Sequence, residues 1–258
     1  MIKGRELLIC LAIKYDGDWE KMYEAIKNKE RLDEDEVSKS LEKVNSDVVT
    51  ILDDNYPKAF KTLYKPPFTI FYHGDLGLIE NNNLLTLGMI GSRQYSEYGK
   101  SMVYSLIKDL KKDYIIISGL ARGIDGFSHQ ASIENNLKTV AVLGSGINYI
   151  YPSENKRVYE DILSNNGLVI SEYPNKVQPK KDNFVFRNRL IAGLSKAIVV
   201  IEAGFKSGSL TTVRAALQLG KDILCVPALA NTGSSCNHLI KEGAYLIETS
   251  EDIMEIVK

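Results

Sequence analysis

Two short glycine-containing loops of the sequence carry an arginine in a setting that suits phosphate binding. The candidate phosphate-binding residues are Ser92 and Arg93 in the first loop and Ser118, Gly119, Arg122 and Gly123 in the second. Glycine lets the backbone approach an anion closely, the N–H groups of a following helix face it, and arginine adds a bidentate clamp. One such loop would favour an ordinary strand-to-helix turn. Two loops at neighbouring strand ends favour a phosphate site.

A basic stretch interleaved with aromatic residues indicates the class of phosphate-bearing ligand that the two loops would bind. Residues 171–214 hold eight basic and three acidic side chains, a local charge of +5. The candidate contacts in it are Lys180, Lys181, Phe184, Arg187, Asn188 and Arg189. Lysine and arginine neutralise backbone phosphates while an exposed aromatic ring stacks on a base, which is how proteins hold single-stranded nucleic acid.

A purely structural role for the same side chains stays open. Either phenylalanine of the segment 184–186 can anchor a helix to the sheet. Either arginine of the segment 187–189 can form an ion pair with Glu172 or Glu202.

A third loop, Ser207-Gly208-Ser209, offers small hydroxyl groups that can cap a helix and face an anion. No lysine follows it at P-loop spacing, so we do not expect ATP hydrolysis. The loop that starts at Gly144 resembles a dinucleotide fingerprint, but Tyr149 stands at the third glycine, so we predict no NAD and no other cofactor. No serine or cysteine has a recognisable histidine partner, and the three histidines lack carboxylates at ligand spacing. We therefore predict neither catalytic residues nor a metal site.

The elements that must position these loops are six short apolar runs rich in isoleucine and valine. They cover residues 84–91, 114–119, 139–144, 167–171, 197–203 and 223–228. Strands without polar alternation are buried on both faces, and helical crossovers of this length connect parallel strands. We therefore predict the α/β class, with a Rossmann-like, doubly wound and mostly parallel sheet whose function lies at the carboxyl ends of its strands.

The amino-terminal part of the chain differs from the rest in its charge and in its hydrophobic spacing. Residues 1–50 combine dense charge with helical spacing and predict a small helical amino-terminal unit before a core domain at 51–258. The net charge of -1 for 258 residues alone would argue mildly against nucleic acid. However, residues 1–60 hold ten basic and fourteen acidic side chains, so the remainder is positive.

The cysteine content and the hydropathy of the sequence indicate the cellular compartment of the protein. Three cysteines without paired spacing favour a reducing cytoplasm. The apolar run Leu7–Ile13 is too short to span a membrane, so we predict a cytoplasmic protein without membrane association.

Several segments, in this order, resemble the DNA processing protein A family, also called DprA or Smf. They are GSR (91–93), SGLARGID (118–125), GSGINYIYPSEN (144–155), SEYP (171–174), FVFRNRLIAGLS (184–195), KSGSLTT (206–212) and CNHLIKEGA (236–244). The ordered set is specific, above all RNRLIAGLS followed by SGSLTT.

The resemblance implies a Rossmann-like homodimer that binds and protects single-stranded DNA and loads the RecA recombinase onto it, chiefly in natural transformation. Such a protein is a mediator rather than an enzyme. By position, the resemblance assigns Arg93, Arg122, Lys181 and Phe184 to holding the strand. The sequence ends with residues 251–258, so we do not expect the carboxyl-terminal winged-helix domain of many relatives.

An alternative from another class is a nucleotide-binding or nucleoside-monophosphate-hydrolysing protein of the lysine-decarboxylase-like Rossmann group. Those enzymes carry P-G-G-x-G-T-x-x-E, and their chemistry requires the glutamate. Here Arg214 stands at that position, and an arginine cannot act as a carboxylate base. The sequence therefore favours binding over hydrolysis.

Overall fold

The computed structural model describes residues 2–81, 83–175 and 177–258, so Lys176 of the basic stretch lies outside the described residues. Within them, nine strands form one sheet. The strands are β1 (Asp47–Thr50), β2 (Thr69–Gly74), β3 (Leu85–Ile90), β4 (Tyr114–Ser118), β5 (Lys138–Leu143), β6 (Leu168–Ser171), β7 (Ala197–Val200), β8 (Asp222–Cys225) and β9 (Tyr245–Leu246). Each of the six predicted apolar runs overlaps one of these strands, and β5 and β8 begin one residue before their runs.

Eleven α-helices connect or flank the strands in the described parts of the chain. They are α1 (Gly4–Lys14), α2 (Trp19–Lys27), α3 (Glu34–Glu42), α4 (Lys58–Lys61), α5 (Glu97–Lys108), α6 (Ile124–Glu134), α7 (Lys156–Ser164), α8 (Lys181–Leu194), α9 (Ser209–Gln218), α10 (Cys236–Lys241) and α11 (Ser250–Ile256). Short polar side chains start several of them. Asp18, Asp33 and Ser96 each accept a hydrogen bond from a backbone N–H of the first turn of α2, α3 and α5.

The sheet order is β1-β2-β6-β5-β4-β3-β7-β8-β9. Strands β3 to β9 pair in parallel, while β1 and β2 join antiparallel beside β6. The chain first builds outward from β3 through β4, β5 and β6, and then returns to the other side of β3 with β7. The adjacent strands β3 and β7 therefore form a topological switch point, where such sheets bind ligands. The predicted fold class is confirmed.

The central strands are buried because both faces carry apolar side chains. In β4, Ile115 and Ile117 belong to the apolar cluster on one face of the sheet, and Tyr114 and Ile116 belong to the cluster on the other. Helices cover both clusters, so the sheet is the middle of three layers.

The amino-terminal helices pack directly on this sheet. Leu11 and Met22 share an apolar cluster with Phe71 of β2 and Val169 of β6. Gly17, at a φ of 72°, lies so close to the sheet that a Cβ there would stand 2.4 Å from the carbonyl oxygen of Glu172. The helical part ends at Glu42, and residues 47–50 form strand β1, so it is shorter than the predicted unit 1–50. No described helix is long and apolar enough to cross a membrane.

Candidate nucleic-acid interface

A cavity of about 750 Å³ opens at the switch point of the sheet. The loops after β3, β4, β5, β6 and β7, together with helix α8, enclose it. Its lining includes Ser92, Arg93, Lys181, Phe184, Arg187, Asn188, Ser207, Gly208 and Ser209, all of which the sequence predicts. The carboxyl ends of parallel strands thus bring together loops that lie more than 100 residues apart in the chain.

The cationic side of the cavity is formed by Arg93 and Lys181. Both side chains are exposed, and neither forms an ion pair with a described carboxylate. The guanidinium carbon of Arg93 lies 5.3 Å from the ring centroid of Phe184. Lys206 adds a third positive charge from the loop before α9. Unpaired cations around a concave surface attract polyanions.

Two helix starts add to the positive potential. Lys181 is the first residue of α8 and Ser209 is the first residue of α9, and both line the cavity. The residues that precede the two helices, Lys180 and Gly208, make no side-chain cap, while the backbone N–H of Ser209 donates to the hydroxyl oxygen of Ser207 (3.2 Å). Because the first N–H groups of a helix lack intrahelical acceptors and carry the positive end of its dipole, these starts favour a bound anion.

The floor of the cavity holds two buried side chains of opposite charge, Asp125 and Arg187. Arg187 is 3% exposed, and its Nη1 donates to the carbonyl oxygens of Gly119 (2.8 Å) and Val142. Burial lowers the pKa of Arg187 to about 10, although the Asp125 charge opposes the change. Burial raises the pKa of Asp125, and Arg187 opposes that rise. The two charges oppose each other, and their hydrogen bonds to Gly119 and Ala121 hold the loop after β4 in place.

The glycines of the loop after β4 allow neighbouring groups to pack closely against its backbone. A Cβ on Gly119 would stand 2.5 Å from Nη2 of Arg187, and one on Gly123 would stand 2.4 Å from the carbonyl oxygen of Ser92. Gly123 also has a φ of 76°, which favours glycine. These two glycines therefore permit close packing beneath the cavity and do not line it.

Four further residues that were predicted to contact nucleic acid lie outside the lining of this cavity. Ser118 is fully buried and donates to the carbonyl oxygen of Met89 (2.6 Å), so its hydroxyl cannot reach a strand. Arg122 is exposed, pairs with Glu154 and lies outside the cavity lining. The other two lie on the far side of α8.

Lys180 and Arg189 face away from the cavity. Lys180 lines a separate groove of about 430 Å³ between α8 and the amino-terminal helices. Arg189 forms a bidentate ion pair with buried Glu172, at 2.5 and 2.6 Å, and also donates to the carbonyl oxygen of Lys65 at 2.8 Å. The structural role that the sequence left open for the arginines therefore holds for Arg189, while Glu202 instead accepts hydrogen bonds from Ser96.

The loop before α9 is tied to its neighbours by hydrogen bonds. The hydroxyl of Ser209 donates to the carbonyl oxygen of Gly91 at the end of β3 (2.7 Å). The amide of Asn188 donates to the hydroxyl of Thr211 (2.6 Å) and to the carbonyl oxygen of Gly208 (3.2 Å). The Asn188 amide is thus committed to joining α8 to α9, and it shapes the cavity rather than reading a base.

Phe184 combines the two roles that the sequence left open. A Cβ on Gly144 would stand 2.5 Å from its Cδ1, so the ring packs tightly on the end of β5. The remaining ring surface lines the cavity beside Arg93. Twelve of the 21 lining residues are outside the sequence-based site prediction, including Asp125, Tyr151 and Lys206. Each of these three belongs to a segment that the family resemblance includes, so the segments carried a signal that the residue types alone did not.

The DNA recombination-mediator protein A model matches residues 47–258 of the chain. The chain belongs to this family. All residues that line the cavity fall within the matched range. The predicted resemblance is therefore confirmed, and the family is one of recombination mediators rather than enzymes.

Relatives within the DNA recombination-mediator protein A family agree in sequence and structure. The DNA processing protein DprA of Streptococcus pneumoniae is 39% identical over 226 residues, which is 87% of this chain and 78% of that protein. An X-ray structure of the S. pneumoniae protein matches with a TM-score of 0.82 at 34% identity, covering 99% of this chain and 94% of that one. A Helicobacter pylori structure, which describes a single-stranded DNA binding mode of DNA processing protein A, matches with a TM-score of 0.73 at 29% identity and covers 82% of this chain and 96% of that one.

Proposed function

We propose that this protein binds single-stranded DNA in the cavity at the switch point, protects it and loads the RecA recombinase onto it, chiefly in natural transformation. It acts in the cytoplasm as a homodimer. The observation that carries the proposal is the meeting of two unpaired cations, Arg93 and Lys181, with the ring of Phe184 in one cavity. The binding mode named for the H. pylori relative supports the same ligand.

The contacts that the cavity offers fit a strand of any sequence. Cations and helix starts bind phosphates, and aromatic rings stack on the faces of bases, which every base possesses. The one side-chain amide of the predicted set, on Asn188, already bonds Gly208 and Thr211. We therefore expect little discrimination between bases.

The proposed ligand is tested by mobility shift of labelled oligo-dT at low salt. We expect wild-type protein to shift the single strand and to shift a duplex of the same length much less, since paired bases cannot stack on the rings. Arg93→Ala should weaken binding about tenfold or more, because a hydrogen bond to a charged group contributes about 1.5–3 kcal/mol. Arg157→Ala is the matched control, since Arg157 is exposed on α7 and lies outside the cavity lining. Failure of the wild type to shift oligo-dT would contradict the proposal.

The hydrolase alternative predicts a different outcome in a direct assay. Arg214, which replaces the required glutamate, is exposed on α9 outside the cavity lining. Asp125, an acid that does line it, is buried, interacts electrostatically with Arg187 and accepts a hydrogen bond from the backbone N–H of Ala121. We expect no release of base from nucleoside monophosphates, and measurable release would favour the alternative.

The edge of the sheet supports a homodimer. Strand β9 pairs with β8 on one side only, and Tyr245 and Leu246 are 47% and 49% exposed. Leu217 and Leu229 are further exposed apolar residues in this half of the chain. An open strand edge with apolar side chains favours pairing with another chain.

Leu246→Glu is expected to convert the dimer to a monomer at micromolar concentration, since it places a charge in the apolar edge. Light scattering during size exclusion measures the mass, and Glu248→Gln serves as a neighbouring exposed control. A wild-type monomer, or a dimeric Leu246→Glu variant, would contradict the assignment of this edge.

The recombination-mediator description of the family supports the proposed loading step. We expect the wild-type protein to stimulate the DNA-dependent ATPase of RecA on strands coated with a single-strand-binding protein. A binding-competent protein that leaves the ATPase rate unchanged would separate strand binding from loading.

A further inference from the structure

Tyr151 is an exposed aromatic residue at the mouth of the cavity. It lines the cavity and is 43% exposed. Its ring centroid lies 5.6 Å from that of Phe184, with the two planes inclined by 41°. The two rings therefore form a continuous aromatic surface that reaches from the packed base of α8 to solvent.

The position of Tyr151 is held by its own loop. The next residue, Pro152, is buried. Further along, the amide of Asn155 donates to the carbonyl oxygens of Leu120 (3.0 Å) and Ala121 (2.9 Å) in the loop after β4. On the other side, the hydroxyl of Ser145 donates to the carbonyl oxygen of Tyr149 (2.8 Å). A ring on an anchored loop loses little conformational freedom when a ligand stacks on it.

Phe184 alone offers limited ring surface to a base. Its Cδ1 packs against Gly144, the Arg93 guanidinium lies over the ring, and Tyr151 adjoins it. Tyr151 is the more exposed of the two aromatic residues that line the cavity.

On the basis of the proposed function, we propose that Tyr151 is a base-stacking residue of the single-strand site. A base of the bound strand packs on its ring while the adjoining phosphates contact Arg93 and Lys181. The tyrosine ring, rather than its hydroxyl, carries this contribution. No strand contact was expected of Tyr151 from its sequence context, because it follows a loop that resembles an incomplete dinucleotide fingerprint.

The first test measures affinity for fluorescent oligo-dT by anisotropy. Tyr151→Ala is expected to weaken binding about tenfold, which is the size of one base–aromatic stack. Tyr151→Phe is expected to bind within about twofold of the wild type, since it keeps the ring. Tyr23→Ala is the matched control, because Tyr23 is also 43% exposed but stacks on Trp19 of α2.

Salt dependence separates stacking from loss of phosphate contacts. Because stacking releases no counterions, Tyr151→Ala should keep the wild-type slope of log affinity against log salt, whereas Arg93→Ala should reduce it. Oligonucleotides carrying 5-iodouracil should photocrosslink to the peptide that contains Tyr151.

The outcomes distinguish this inference from the function on which it rests. If the wild type binds oligo-dT but Tyr151→Ala binds as well, the stacking role fails while the proposed function stands. A weakened Tyr151→Ala variant with a shallower salt slope would also overturn stacking, since the loss would then be ionic. If the wild type does not bind, the proposed function itself fails.

Discussion

Glu172→Gln is expected to lower the free energy of unfolding by about 3–5 kcal/mol, because it leaves a largely buried arginine without its counter-charge. Glu172 is 4% exposed, and both of its carboxylate oxygens accept hydrogen bonds from Arg189. Arg189 also donates to the carbonyl oxygen of Lys65, and its guanidinium carbon lies 3.7 Å from the ring centroid of Phe186. The substitution therefore weakens the contacts that join the end of β6, helix α8 and the turn before β2.

Urea denaturation measures this effect as a fall in the transition midpoint at constant slope. Glu160→Gln is the control, since it removes an exposed i,i+4 pair with Lys156 at 3.8 Å and should leave the midpoint unchanged. Equal midpoints for Glu172→Gln and the wild type would show that the buried pair does not stabilise the fold.

The second large effect concerns the cations of the cavity. The double variant Arg93→Ala/Lys181→Ala is expected to bind oligo-dT about a hundredfold or more weakly than the wild type, because it removes two charge-assisted contacts to phosphate. Both side chains are exposed and unpaired among the described residues, so their removal should leave the unfolding midpoint close to that of the wild type. Loss of affinity without loss of stability is the result that identifies binding residues. A double variant that binds like the wild type would show that single-stranded DNA binds at another site.

The sequence predicts much of this site because parallel strands end at one edge of a sheet. The apolar runs that became β3, β4 and β7 are recognisable without any structure, and the loops that follow them carry Arg93 and the serines before α9. The strand pairing at the two edges was not predictable in the same way. Strands β1 and β9 are four and two residues long, and they form only because a neighbouring strand offers free backbone groups.

Helix α8 explains which basic residues were misjudged. Lys181, Phe184 and Asn188 follow one another at intervals of three and four residues and line the cavity, whereas Arg189 pairs with Glu172 outside the lining. Helical periodicity separates the faces of a helix, but the sequence does not say which face meets the cavity. The net charge of +5 for residues 171–214 therefore does not give the number of free cations beside the cavity.

Two further residues depended on tertiary contacts. Arg187 is basic like its neighbours, yet it is buried against Asp125 and two carbonyl groups, which no local pattern reveals. Tyr151 belongs to a segment that the resemblance includes, but its proximity to Phe184 arises only when the loop after β5 meets α8.

We infer that Arg93 and Lys181 hold the phosphates of a single strand, and a salt titration of oligo-dT affinity measures this role. For single strands, each neutralised phosphate contributes about 0.7 to the slope of log affinity against log salt. We predict a steep decline for the wild type and a slope shallower by roughly 1.4 for Arg93→Ala/Lys181→Ala. The same slope for both proteins, or a flat titration of the wild type, would contradict the claim.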